Sequence, residues 1–138
     1  MAKTYDVLVQ GGLVVAGCGI RKADVGIKGE QIAAIESKIP PAEAKQVIDA
    51  SGKYVLPGAI DVHVHPVYED DLGGSSLTAA HGGTTTVLHF AYARPGMKLI
   101  DTIKKFQEEG LRKSYLDFGV HGTLFDASSQ IAEIPKAF

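Results

Sequence analysis

Along the first third of the chain, apolar and polar residues alternate over short stretches broken by glycine. Residues 5–9, 13–15, 23–27, 31–35, 47–50 and 53–56 each read as a short strand. Gly11-Gly12, Gly17-Cys18-Gly19 and Lys28-Gly29-Glu30 punctuate them as turns, and Pro40-Pro41 with Glu43 marks a solvent loop. This pattern predicts a small β-sandwich segment or meander over residues 1–56. Asp24, Glu30 and Asp49 fall between or beside these stretches, and are expected as solvated turn residues rather than as chemistry.

From residue 57 the period changes. A β-branched run over 59–65 follows Pro57-Gly58. A helix is predicted over 72–81, opened by Asp70 and Asp71 and closed by Gly82-Gly83. A second strand spans 84–90. A second helix spans 98–109, with Leu99, Ile103 and Phe106 on one face and Gly110 as its stop. A third strand spans 115–124. A third helix starts near Ser128, with Pro135 at a kink or a fresh first turn. Strand alternating with helix is the βαβ pattern and predicts a parallel sheet with its reactive groups at the C-terminal strand ends. The domains expected are therefore 1–56 and 57–138.

Histidines gather at those ends. His63 and His65 lie two residues apart, so on an extended strand both rings lean the same way, roughly 7 Å apart along it. Imidazole is a good ligand for zinc and similar metals, so this pair is the candidate metal site. Asp61, two residues earlier, either orients an imidazole or caps a backbone group. His89 and His121 fall near the ends of the second and third strands. Each is a candidate for contact with substrate or with a metal ligand, against the plainer reading of a hydrogen-bonded barrel histidine. On this pattern His65, His89 and His121 are expected to share one rim. His81 closes a helix, where it suits the helix dipole. Arg94-Pro95-Gly96 follows the second strand as a turn on the same rim. Gly82-Gly83 and its three threonines lack the lysine of a phosphate loop. No serine or cysteine triad is legible.

Composition narrows the class. The chain has 138 residues, 45% of them hydrophobic and 22% charged, which fits a folded domain rather than a disordered one. Its net charge of −2 gives no reason to expect nucleic acid or an anionic membrane as partner. Cys18 is the single cysteine and is expected to be inert in a reducing compartment. With no apolar leader at residues 1–6 and no apolar stretch of membrane length, a cytoplasmic location is expected.

Residues 55–65, Val-Leu-Pro-Gly-Ala-Ile-Asp-Val-His-Val-His, resemble the signature of the amidohydrolase superfamily, in particular its cyclic amidase branch. Residues 79–87 with Phe90-Ala91 are similar to the next segment of hydantoinases and dihydropyrimidinases, and residues 116–121 to their third barrel strand. Residues 23–35 and 48–54 resemble their N-terminal β-sandwich segment. The resemblance implies an α/β fold: that segment, followed by the first three βα units of a TIM (β/α)8 barrel. It implies two divalent metals, usually zinc, bridged by a hydroxide and a carboxylated lysine, with the hydroxide attacking the ring carbonyl of a hydantoin or dihydropyrimidine. His63 and His65 would bind one of the two ions, and Asp61 belongs to the motif without being a direct ligand. A homo-oligomer and a small cyclic amide substrate are implied as well. Allantoinases and dihydroorotases share most of these motifs, and non-catalytic dihydropyrimidinase-like assembly proteins share the frame. The segment 66–71 is shorter than the usual hydantoinase loop. The family's bridging lysine, its later histidines and its catalytic aspartate match nothing within 1–138, so no catalytic residue is assigned. A complete barrel needs eight βα units and roughly 250 residues. The expectation is an N-terminal portion, inactive alone.

Overall fold

The computed structural model describes residues 4–17, 19–65 and 70–137. The expectation for Cys18 and most of the predicted short loop after His65 lie outside these residues. The chain divides into two compact units, Met1–Pro57 and Gly58–Phe138.

The first unit is a mixed sheet. Strands β1 (Tyr5–Ala16), β2 (Gly19–Lys28), β3 (Gln31–Glu36) and β4 (Ala44–Asp49) lie in the order β3-β2-β1-β4, and the short β5 (Tyr54–Val55) also pairs with β1. β1–β2 and β2–β3 are antiparallel, whereas β4 and β5 run parallel to β1. Gly11-Gly12 is not the turn the sequence suggests. β1 runs straight through it as a strand of 12 residues. Gly11 takes a φ of +78°, and the register against β2 shifts between Val9 and Gly12, so the pair forms a bulge. Gly12 is small because β5 crosses it closely: a Cβ there would stand 2.5 Å from Val55 Cγ2. Leu8, Ile39 and Ala44 form one buried cluster, and Val14, Ala23 and Val25 another.

Asp24 also departs from expectation. It is buried at 4% exposure rather than solvated. Its Oδ1 accepts the backbone N–H of Gly11 at 2.7 Å, and its Oδ2 accepts that of Ile39 at 2.8 Å and the Gln10 amide at 3.4 Å. The carboxylate fills the acceptor need that the bulge creates. Glu30 and Asp49 are exposed, as expected.

The second unit is α/β. β6 (Ala59–Val64), β7 (Thr84–Ala93) and β8 (Asp117–Leu124) form a parallel sheet in sequence order, linked by α1 (Leu72–His81) and α2 (Leu99–Lys113). α3 (Ala127–Gln130) follows and passes into a 3-10 turn over Ile131–Lys136 that contains Pro135. Asp71 caps α1 by accepting the Gly74 N–H at 2.8 Å. α2 does not stop at Gly110. The helix continues to Lys113 because that glycine is a packing choice: a Cβ there would stand 2.3 Å from the Phe118 ring of β8. Gln130 is buried and ties two loops together. Its Nε2 donates to the carbonyls of Ala93 and Met97, and its Oε1 accepts the N–H of Phe125 and Asp126. The chain ends of β7 and β8 are thus fixed to each other. Among the described residues, no helix is long and apolar enough to cross a membrane.

Candidate metal centre

The β-branched residues of β6 keep its backbone extended up to His65. Its register against β7 is not uniform. Asp61 pairs with Val87 and Val64 with His89, so Val62 and His63 stand against Leu88 alone. This is a bulge, a device that re-aims side chains near strand ends. It interrupts the simple alternation that would align Asp61 with both histidines. The Asp61 carboxylate accepts the backbone N–H of His63 at 3.0 Å, so the contact observed is with the backbone and not with an imidazole.

The two imidazoles converge. Nε2 of His63 and Nε2 of His65 are 2.8 Å apart, with ring centroids 4.6 Å apart and planes at 76°. Phe90 of β7 supports them, its centroid 4.6 Å from each. His121 of β8 also packs on Phe90, at 4.8 Å, and its Nε2–H donates to the Val62 carbonyl at 3.2 Å. Nδ1 of His65 is hydrogen-bonded to the hydroxyl of Tyr92, whose ring stacks on the imidazole at 22°. Three histidines, Phe90 and Tyr92 therefore share one face at the C-terminal strand ends.

His89 is not among them. The β7–β8 register pairs Phe90 with His121, and the alternate residues Val87, His89, Ala91 and Ala93 are buried. His89 packs against Phe106 of α2, with ring centroids 5.7 Å apart. The rim expected of His65, His89 and His121 thus keeps the first and third and loses the second to the helix side. Neither nitrogen of His89 has a hydrogen-bond partner among the described residues. Burial lowers its pKa below the ordinary 6.5, and the Asp61 charge opposes this in part. The ring is held neutral when folded and takes up a proton more readily when unfolded. Its depressed pKa costs nothing above pH 6.5, and stability is lost as pH falls from there toward the folded value. The substitution His89→Leu removes two buried polar atoms at similar volume. It is expected to raise stability by about 1–2 kcal/mol at pH 7. It should also flatten the loss below pH 6.5, as urea titrations at several pH values would read. An unchanged pH profile would contradict the buried-neutral assignment.

Phe90 and Tyr92 contact the His63–His65 pair, and the sequence pattern alone does not single them out as site residues. Their signal was the even-numbered apolar and aromatic set Leu88, Phe90, Tyr92, which needs the β7–β8 register to be placed. Arg94 sits in the turn after β7, its N–H donating to the Tyr92 carbonyl at 3.1 Å and its own carbonyl accepting from Met97 at 2.9 Å. His81 ends α1 and is exposed.

The donor set suits a borderline cation. Two imidazole nitrogens held ~2.0–2.1 Å from a tetrahedral zinc stand ~3.3 Å apart, so the observed 2.8 Å requires only a small ring rotation. Zinc sites take three or four protein groups. Among the described residues no group of three or more His, Cys, Asp or Glu is placed to hold a metal ion. His63 and His65 bring two imidazole nitrogens together, fewer than such a site takes.

Comparison with known proteins fixes the lineage. No protein-family model matches the chain. Over 135 residues it is 35% identical to a D-hydantoinase of Ralstonia pickettii, a match that takes in 93% of this chain and 29% of the hydantoinase. The solved dihydropyrimidinase of Brevibacillus agri superposes with a TM-score of 0.84 at 33% identity, over 94% of this chain and 30% of that one. This chain is a homologue of the N-terminal portion of the cyclic amidohydrolases. The resemblance carried by residues 55–65 is thereby borne out, as is the α/β architecture. The amidohydrolase homologue spans about 30% of the length of the relatives it matches. D-aminoacylase, whose solved structure is described by its binuclear metal center, aligns with 62% of this amidohydrolase homologue and 18% of itself, at 36% identity and a TM-score of 0.52.

Proposed function

We propose that this chain forms the N-terminal part of a metal-dependent hydrolase that opens cyclic amides of the hydantoin or dihydropyrimidine kind. The observation that carries the reading is the convergence of the His63 and His65 Nε2 atoms at a parallel strand end, in a chain homologous to hydantoinases. Both histidines would hold one of two divalent ions, zinc being the natural choice for imidazole donors. Such ions supply a nucleophile at neutral pH and polarise an amide carbonyl. The work of this chain's residues is different. His63 and His65 present lone pairs, and Phe90 fixes both rings from one side. His121 bonds the Val62 carbonyl at the bulge and packs on the same Phe90 ring, which makes it the candidate for substrate contact.

Keeping both histidines favours an enzyme over a non-catalytic assembly protein of the same frame. Function in the cytoplasm, as a homo-oligomer, completes the reading. In the whole polypeptide that carries this chain, hydrolysis of hydantoin or dihydrouracil is expected, lost on chelation and restored by zinc. The isolated 138 residues, offering two donors, are expected to show no turnover with either ring when zinc is added. Chelator-resistant hydrolysis by the whole polypeptide, or turnover by the isolated chain, would each contradict the proposal.

A further inference from the structure

We infer that Tyr92 is a positioning residue for the cation site: its hydroxyl engages Nδ1 of His65 and so commits Nε2 of that ring to the ion shared with His63. The inference rests on the metal reading above. An imidazole offers two nitrogens, and a second contact decides which one is left to ligate. Here that contact is explicit. Nδ1 of His65 is hydrogen-bonded to the Tyr92 hydroxyl, and Nε2 faces Nε2 of His63 at 2.8 Å.

Proton counting then fixes the roles. A neutral imidazole carries one N–H. For both Nε2 atoms to present lone pairs to one ion, each ring must carry its hydrogen on Nδ1. The Nδ1–H of His65 then needs an acceptor, and the Tyr92 oxygen provides it. Without the ion the same contact reverses. The hydroxyl donates to Nδ1, and the Nε2–H of His65 bridges to His63 across the observed 2.8 Å. A phenol can serve in both states because it both donates and accepts, as a backbone carbonyl cannot.

The hydroxyl is also held in place. Tyr92 is half-buried near the end of β7 and pairs in register with Thr123 of β8. Its ring lies 5.7 Å from Phe125, and its carbonyl accepts the Arg94 N–H. The next residue, Ala93, is fixed by Gln130. Phe90 stacks on His65 at 27°, which limits rotation of the imidazole. The stack alone permits a ring flip about Cβ–Cγ, which would put Cδ2 in place of Nδ1 and Cε1 in place of Nε2. The phenol hydroxyl removes that freedom.

The test is a zinc titration of the whole polypeptide that carries this chain, labelled with 15N in its imidazoles and followed by NMR. In the parent chain, zinc should shift Nε2 of His63 and His65 together, with Nδ1–H of His65 retained. Tyr92→Phe keeps the ring and its stacking but removes the oxygen. Its zinc dissociation constant should rise roughly ten-fold or more. Its His65 should populate both nitrogens as ligand, and the Nδ1–H signal should be lost to exchange. His63→Ala with His65→Ala sets the background. Equal affinity and an unchanged His65 pattern in Tyr92→Phe, with parent binding intact, would overturn the role of Tyr92 and leave the metal reading standing. Parent binding no stronger than the double-alanine background would overturn both. Ligation through Nδ1 of His65 in the parent chain would sink the inference without any variant.

Discussion

In the whole polypeptide, replacing His63 and His65 together with alanine is expected to abolish zinc binding at this pair and to cut cyclic-amide hydrolysis by roughly a thousand-fold or more. The magnitude follows from what a metal supplies. Charge stabilisation and nucleophile activation are together worth several kcal/mol, and each ~1.4 kcal/mol is a factor of ten in rate. Removing the pair takes away two of the three or four protein groups that a zinc site uses. Fold damage should be small, because His63 is exposed and His65 only half-buried at the end of a strand. Metal content after dialysis, initial rates on hydantoin and the circular dichroism spectrum separate the two effects. A double variant that keeps both its zinc and its rate, with an intact spectrum, removes the basis of the proposed function.

The legible part of this site was the part that depends on spacing alone. His63 and His65 share an element, two residues apart, and their convergence needs no knowledge of a partner strand. The order β6-β7-β8 also follows from local grammar, since each helix is short and each strand is flanked by glycine or acidic caps. What failed depended on relations between strands. Which face of β7 looks toward the histidines is set by pairing Phe90 with His121, and periodicity within β7 cannot choose between His89 and Phe90. The β6 bulge adds a residue that the alternating pattern does not announce. Glycine misled twice for a related reason. Gly110 sits inside α2 because Phe118 presses against it, and Gly11-Gly12 sits inside β1 because a bulge and the crossing of β5 demand it. A glycine required by a distant neighbour looks, in sequence, like a glycine required by a turn. Asp24 was hidden likewise, its two backbone donors lying 13 and 15 residues away.

That carboxylate carries the largest expected stability effect in the first unit. Asp24→Ala leaves the N–H groups of Gly11 and Ile39 without their acceptor, the latter in a buried contact. Each orphaned donor costs about 1–3 kcal/mol, so a loss of about 3 kcal/mol or more is expected, a large share of an ordinary domain's stability. Asp24→Asn should recover part of it. One amide oxygen still accepts a hydrogen bond, but the NH2 group faces a second donor where Oδ1 or Oδ2 stood. The pH dependence discriminates further. Burial alone would raise the pKa of Asp24. The N–H of Ile39, the N–H of Gly11 and the Gln10 amide together outweigh it and hold the carboxyl below its usual 3.8. A depressed folded value means that the unfolded chain binds the proton first. The stabilisation is therefore complete above pH 3.8 and disappears as pH falls through the folded value. Urea unfolding of parent and variants between pH 2 and 7 should show the parent advantage over Asp24→Ala shrinking at the acid end. If the gap stayed constant across that range, the ionised carboxylate would not be what holds the bulge, and the three hydrogen bonds would be a consequence of the fold instead of a cause.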